Sequence, residues 1–378
     1  MSKRILITST DLMMIQFLVP HVRHLSENGF EVEIACSQVG GRMDEVRSAL
    51  GACVKDIQVV RLVRSPVSPR NLLGFGDMIK MIQPGKYDII WTNEPVMGVV
   101  TRLAARKARK AGTKVLYMVH GFHFFAGAGK LNWMLYYPVE RLCSHACDAI
   151  VTMNEEDYRR AGEFRAAKVY KIQGVGVDNS KFQAVKDMTD EMRQTKRREL
   201  GIPDGSYFLL SVGELSKRKN HAVVLRALAR LGDSDLHFAI CGKGDQQPRL
   251  EQLARELGIE DRVHFLGYRK DIPQVCKAAD CFVFSTLQEG LPFALMEAME
   301  AGLPVIASRV RGNTDLIVEG KGGLLCDPRS PEDYAGAIEK IRTMDVNEMI
   351  AFNRTRVVEF DKDHAKQNVQ SVLMDILN

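Results

Sequence analysis

Short apolar, β-branched runs recur along the chain, each followed by a stretch of helical periodicity. This alternation limits the possible folds more than any other feature. RILITST (Arg4–Thr10) leads into FLVPHVRHLSENG (Phe17–Gly29), read as a helix stopped by Gly29, and then EVEIACS (Glu31–Ser37). YDIIWTN (Tyr87–Asn93), KVLYMVHG (Lys114–Gly121) and CDAIVTMN (Cys147–Asn154) continue the series. Strands that are apolar on both faces belong to parallel sheets covered by helices, so the pattern predicts a doubly wound α/β architecture.

The alternation lapses and then restarts. FQAVKDMTDEMRQTKRREL (Phe182–Leu200) is polar and strand-free, after which come YFLLSVG (Tyr207–Gly213), LHFAICG (Leu236–Gly242), RVHFLG (Arg262–Gly267), CFVFST (Cys281–Thr286) and PVIAS (Pro304–Ser308). A chain of 378 residues exceeds one ordinary core. The expectation is two Rossmann-like parallel-sheet domains, 1–177 and 178–360, with a linker near Gly174–Asp178. An amphipathic last helix, about Asp363–Leu377, is expected to pack segment 361–378 back on the first domain. Such domains facing across a cleft would bind ligands at their strand C-termini.

Composition narrows the function classes. Charged residues are 26% and net charge is +5, too mild to argue for nucleic acid and suited to anionic substrates or an anionic membrane surface. The eight cysteines form no C-x-x-C pair, no leader is read before ILITST, and no apolar run reaches the roughly 20 residues of a membrane span. The expectation is a cytosolic protein with reduced thiols.

One stretch carries chemistry: EGLPFALMEAMEAGLPVIAS, Glu289–Ser308. Pro292 suits the first turn of a helix running from Phe293 to Ala301, and Gly302 suits its end. Glu289 then lies in the loop before the helix, and Glu297 stands about 7 Å further along the axis. Gly290 permits close backbone approach to a ligand, and the helix N-terminus favours an anion such as phosphate. A carboxylate beside an anion site, with a second deeper in, suits a nucleotide sugar, whose hydroxyls donate to carboxylates.

With these residues in view, the chain resembles the family 4 glycosyltransferases, the retaining class with the GT-B fold, of the type that builds bacterial capsular polysaccharide and exopolysaccharide. The resemblance rests on the Glu-x7-Glu run Glu289–Glu297 and its continuation AMEAGLPVIAS. SVGELSKRKNH (Ser211–His221), ICGKGDQQPRL (Ile240–Leu250), HFLGYRKDI (His264–Ile272) and EGKGGLLCDP (Glu319–Pro328) follow the family order. In the first half, MVHGFHFF (Met118–Phe125) resembles the His-Gly turn of surface-polysaccharide members, whereas TSTDLMMIQFLVPHVRHL lacks the paired glycines many members carry.

The resemblance implies roles. Lys219 pairs with the donor diphosphate, Glu297 binds the ribose hydroxyls and Glu289 faces the transferred sugar, orienting rather than attacking. Gly290 and Leu291 offer backbone N–H groups, Gly213 and Gly242 stand where strands meet the donor, and Tyr268 and Arg269 lie on the base-contacting loop. His120 approaches the donor sugar, so His120 and Glu289 form the expected catalytic pair. Where the family often has arginine, this chain has Glu214; Lys217 or Arg218 is expected to supply the missing charge, with Arg218 preferred because it is nearer Lys219. The implied reaction transfers a sugar from a nucleotide donor, UDP-linked in expectation, to a saccharide or lipid-linked acceptor with retention. It needs no metal or other cofactor, because cationic side chains stabilise the leaving diphosphate, and domain closure assembles the site.

Other patterns read as structure. His21 and His24 on one helix face, Cys143 and Cys147 around His145, and the Asp233-Ser-Asp235 turn lack the partners a metal site needs. KLNWMLYYPVERL (Lys130–Leu142) fits either an inter-element helix or a peripheral contact with the inner face of the cell membrane. Two rival functions stay open: a nucleotide-sugar epimerase on a similar scaffold, and a nucleotide-sugar-binding module without turnover. Nucleotide release that requires an acceptor separates the transferase from both.

Overall fold

The computed structural model describes residues 2–41 and 43–378. The chain divides into two compact units: unit 1 holds the chain up to Gly176 together with Lys362–Asn378, and unit 2 is Val177–Asp361.

Unit 1 is built on β1 (Lys3–Asp11), β2 (Phe30–Val39), β3 (Asp56–Val59), β4 (Ile89–Asn93), β5 (Lys114–Met118), β6 (Ala149–Thr152) and β7 (Lys168–Lys171). These pair in the order β3-β2-β1-β4-β5-β6-β7, all parallel. The order reverses between β1 and β4, the place where such sheets open a crevice at their strand ends. Every residue of β4 is buried, as a central strand covered on both faces requires. The first helix begins at Leu12 rather than at Phe17, because Asp11 accepts a hydrogen bond from the Met13 N–H (2.9 Å) and starts it five residues earlier.

Unit 2 is built on β8 (Tyr207–Val212), β9 (Leu236–Cys241), β10 (Val263–Gly267), β11 (Cys281–Phe284), β12 (Val305–Ser308) and β13 (Leu324–Cys326), in the parallel order β10-β9-β8-β11-β12-β13. Its switch point falls between β8 and β11. Alternate residues supply two cores: Phe208, Leu210, Phe282 and Phe284 face one side of the sheet, and Leu209, Cys281 and Val283 face the other. This is the period-2 geometry of a strand buried on both faces. The sequence reading omits β3, β7 and β13, which close the sheets at their edges.

The helix Lys362–Leu377 belongs to unit 1, where Lys168 Nζ donates to Asp375 (2.8 Å) and Asn368 donates to Gln173 (2.9 Å).

Candidate active site

At the switch point of unit 2 the chain after β8 turns through Lys217–Lys219, and Asn220 takes a left-handed conformation (φ 51°) before the next helix. The loop after β11 returns against this turn. Ser285 Oγ donates to the Lys219 carbonyl (3.0 Å), and the Leu287 N–H donates to the Arg218 carbonyl (2.8 Å). The two loops therefore hold Arg218, Lys219 and Glu289 together. Lys219 Nζ, Arg218 Nη1 and Thr286 Oγ1 all donate to the same Glu289 oxygen, Oε1, at 2.8, 2.8 and 2.9 Å. Buried Arg311 donates from Nε to the Glu289 carbonyl (3.1 Å).

Lys219 is 11% exposed and lies 4.5 Å from the centroid of the Phe284 ring. Burial pushes its ammonium below the usual lysine range, and the charge of Glu289 offsets part of that. Arg218 is 43% exposed, and its Nη1 also donates to the Gln288 carbonyl (3.0 Å). Glu214 is exposed as well.

The helix Phe293–Ala301 opens at Pro292 without a side-chain cap and ends at Gly302 in a left-handed conformation (φ 79°). Glu297 lies on it, half-buried. Burial raises its carboxyl above the usual range, with only a weak opposing effect from Lys181. No side-chain hydrogen bond or ion pair engages this carboxylate among the described residues, so it is desolvated and ready for hydroxyl donors.

Backbone crowding fixes the glycines. The Gly213 N–H donates to the Cys241 carbonyl (2.9 Å) and the Gly242 N–H to the Gly267 carbonyl (2.8 Å), tying together the ends of β8, β9 and β10. A side chain on Gly242 would collide with the Gly213 carbonyl. Gly290 and Leu291 occupy the short stretch between Glu289 and the helix. Tyr268, after β10, is 71% exposed. Its neighbour Arg269 is committed to Asp271 (2.7 and 2.6 Å) and Glu199 (2.7 Å), so the structure engages it in an ion-pair network.

In unit 1, His120 follows β5, and its Nε2 lies 3.0 Å from Asn93 Oδ1 at the end of β4. Burial, with a small contribution from His21, lowers it to about 4. Sequence reasoning missed Glu94, the residue after Asn93. This residue stands at φ 64°, and Ser9 Oγ, the Thr10 N–H and the Asp11 N–H all donate to its Oε2 (2.5, 2.8 and 3.1 Å). A Glu-Pro dipeptide after a strand gives no motif; only the strained backbone marks it. Thr286 and Arg311 were missed for a similar reason, since each reaches Glu289 only once the loops have folded.

The remaining patterns serve the scaffold. Buried His21 bonds the Val175 carbonyl (2.9 Å), and His24 bonds Gln370 (2.6 Å). The Asp235 N–H donates to Asp233 Oδ1 (2.9 Å), closing the turn. All eight cysteines are free, and no cluster of metal-binding side chains occurs among the described residues. No helix among the described residues is long and apolar enough to cross a membrane.

Two family models match the chain, Glycosyltransferase Family 4 over residues 18–174 and Glycosyl transferases group 1 over residues 192–353. Among curated proteins, the chain is 34% identical over 346 residues to EpsD of Bacillus subtilis (strain 168), a glycosyltransferase by name, covering 90% of this chain and 88% of that one. It is 26% identical over 342 residues to the UDP-Gal:alpha-D-GlcNAc-diphosphoundecaprenol alpha-1,3-galactosyltransferase of Escherichia coli, covering 88% and 86%. The crystal structure of Anabaena Alr3699/HepE in complex with UDP superposes with a TM-score of 0.78 at 19% identity, covering 99% of this chain and all of that one. The likeness to that structure concerns the fold, which is GT-B.

Proposed function

Because the chain belongs to the family 4 glycosyltransferases, we propose that it moves a sugar from a UDP-sugar to a saccharide or lipid-linked acceptor, with retention of configuration and without a metal, in surface-polysaccharide assembly. The observation that carries the reading is the convergence of Arg218 and Lys219 on one oxygen of Glu289 beside an uncapped helix N-terminus. Two cations held beside such a terminus suit a diphosphate. The unpaired carboxylate of Glu297 suits a ribose. Two relatives bear on the donor and acceptor: one is named for UDP-Gal and a diphosphoundecaprenol acceptor, and a fold neighbour holds UDP.

In this reading the bond between the anomeric carbon and the diphosphate oxygen breaks. The acceptor oxygen bonds to that carbon from the same face, and its proton passes to a diphosphate oxygen. Lys219 and Arg218 balance the charge that develops on the leaving group, a preorganised contribution that is usually the largest in such sites. Glu289 keeps both cations in place and, through Oε2, offers an acceptor to the sugar.

The test is thermal. Titration with UDP, GDP and ADP should raise the melting temperature selectively with UDP, as mass action requires for a ligand of the folded state. Glu297→Ala should abolish that shift. Release of UDP from UDP-sugar only when acceptor is added would exclude the epimerase and the binding module. Turnover that survives EDTA supports metal independence, and turnover lost and then restored by Mg2+ or Mn2+ overturns it.

The acceptor side adds a second element, a membrane-facing helix. In Lys130–Cys143, Glu140 turns inward to Arg102 (2.7 Å) and Tyr117 (2.8 Å). Leu131, Met134, Leu135, Val139 and Leu142 are exposed, with Lys130 and Arg141 near the helix ends. An apolar face with basic ends fits the surface of an anionic bilayer. Sedimentation with phosphatidylglycerol vesicles should carry the protein down, and Leu131→Glu/Leu142→Glu should release it. Equal binding by both proteins would remove this contact.

A further inference from the structure

We infer that the strand ends of unit 1 form a subsite for sugar hydroxyls, built from two bare hydrogen-bond acceptors, His120 Nδ1 and Glu94 Oε1, and that Asn93 is the positioning residue that sets its polarity. The inference deepens the transferase reading and rests on it for the identity of the ligand.

The argument is one of donors and acceptors. Fully buried Asn93 has its Nδ2 3.1 Å from the Thr8 carbonyl. A carbonyl can only accept, so the amide cannot be flipped: Nδ2 faces Thr8 and Oδ1 faces His120. Oδ1 can also only accept, and it lies 3.0 Å from His120 Nε2. Nε2 therefore carries the proton. A neutral imidazole has one proton, so Nδ1 is left as a bare lone pair. His120 is neutral near pH 7, since burial holds it at about 4. The titratable neighbour acting on it is His21 of the first helix, also held near 4 by burial. The buried chain Thr8–Asn93–His120 thus makes His120 an acceptor and denies it the role of proton donor.

Glu94 repeats the pattern on the next residue. All three of its donors converge on Oε2, and Oε1 takes no partner among the described residues. Its backbone is held at φ 64°, a conformation strained for a non-glycine residue. Stapling the end of β1 needs one acceptor oxygen, and a glutamine would supply it. The carboxylate adds a second oxygen, left open. Among the described residues no cation pairs with Glu94; the nearby arginine, Arg64, pairs with Asp11 instead. Burial and Asp11 both raise the Glu94 carboxyl, while its hydrogen bonds hold it down. Two acceptors without a cation repel phosphate and select donors, so the ligand presents hydroxyl groups here.

The experiment uses full-length protein labelled with 15N-histidine, with the His120 signals assigned by their loss in His120→Gln. Wild type should show the Nε2–H tautomer at His120. Asn93→Asp places a carboxylate on Nε2 and should keep His120 doubly protonated to higher pH. Methyl α-glucoside and methyl N-acetyl-α-glucosaminide, used as neutral probes, should shift the His120 Nδ1 resonance, and glucose 1-phosphate should not. Glu94→Gln keeps an oxygen for the staple and replaces the open oxygen by a donor. It should leave the melting temperature and the UDP shift unchanged and weaken the glycoside response about tenfold. An Nδ1–H tautomer in wild type, no response to the neutral glycosides, or a Glu94→Gln protein that responds as wild type would each overturn the inference. Failure of the transferase reading is separate: it would appear as no stabilisation by UDP, with the tautomer unaffected.

Discussion

Lys219 keeps its charge against burial because Glu289 stands 2.8 Å away. Removing that carboxylate leaves a desolvated ammonium beside the like charge of Arg218, and both influences lower its pKa. The sign is definite. In Glu289→Gln, UDP affinity should fall away at a lower pH than in wild type as the medium is made alkaline. Calorimetric titration of UDP across the alkaline range reads this, and coincident profiles would remove the pairing as the cause. Lys219→Met should lower kcat/KM about 100-fold or more, close to 3 kcal/mol of transition-state stabilisation. Lys219, Glu289 and Glu297 stand out in the sequence as candidates because each sits within a short motif. Thr286 and Arg311 do not, since an ordinary threonine and arginine acquire meaning only when two loops meet.

Elements show the same division. Central strands announce themselves as apolar runs because helices cover both faces. β3 and β7 each read exposed, half-buried, half-buried, exposed, so DIQV and KVYK carry no continuous run. β13 has three residues, below the length at which a pattern is visible. The first helix was placed late because its cap, Asp11, lies inside what reads as strand and turn. Between helices, the pairing of Arg102 with Glu140 joins Pro95–Ala104 to Lys130–Cys143 in a dry setting, the two side chains being 0% and 4% exposed. Glu140→Ala leaves a buried guanidinium unpaired and should cost about 3–5 kcal/mol. Urea unfolding measures it, and a loss below about 1 kcal/mol would mean water reaches Arg102.

Across the whole molecule, buried neutral histidines couple stability to acidity. His21 and His120 are held near 4 and His221 near 3, all mainly by burial, against an unfolded value of 6.5. Below about pH 6.5 the unfolded chain takes up protons that the fold refuses. Stability is therefore full above that pH and is lost as pH falls towards 4 and then 3, by about 1.4 kcal/mol per pH unit for each group. Glu94 and Glu297, whose carboxyls are raised, act in the opposite sense, but only once the medium reaches the carboxylate range. The urea midpoint should fall between pH 7 and pH 5; a flat midpoint would mean the histidines are hydrated.

Unit 2 also begins and ends side by side. The Val177 N–H donates to the Phe360 carbonyl (2.9 Å), and Val177 bridges Asp361. Segment 177–361, made by itself, should therefore fold and still gain stability from UDP; a fragment that stays unfolded would show that the unit depends on the rest of the chain. The same closure orders events on the ribosome. Every residue of unit 2 emerges before Lys362–Leu377, the helix whose Gln370 meets His24. Unit 1, begun first, is therefore completed only after unit 2 has been made, and until then its first helix lacks that partner.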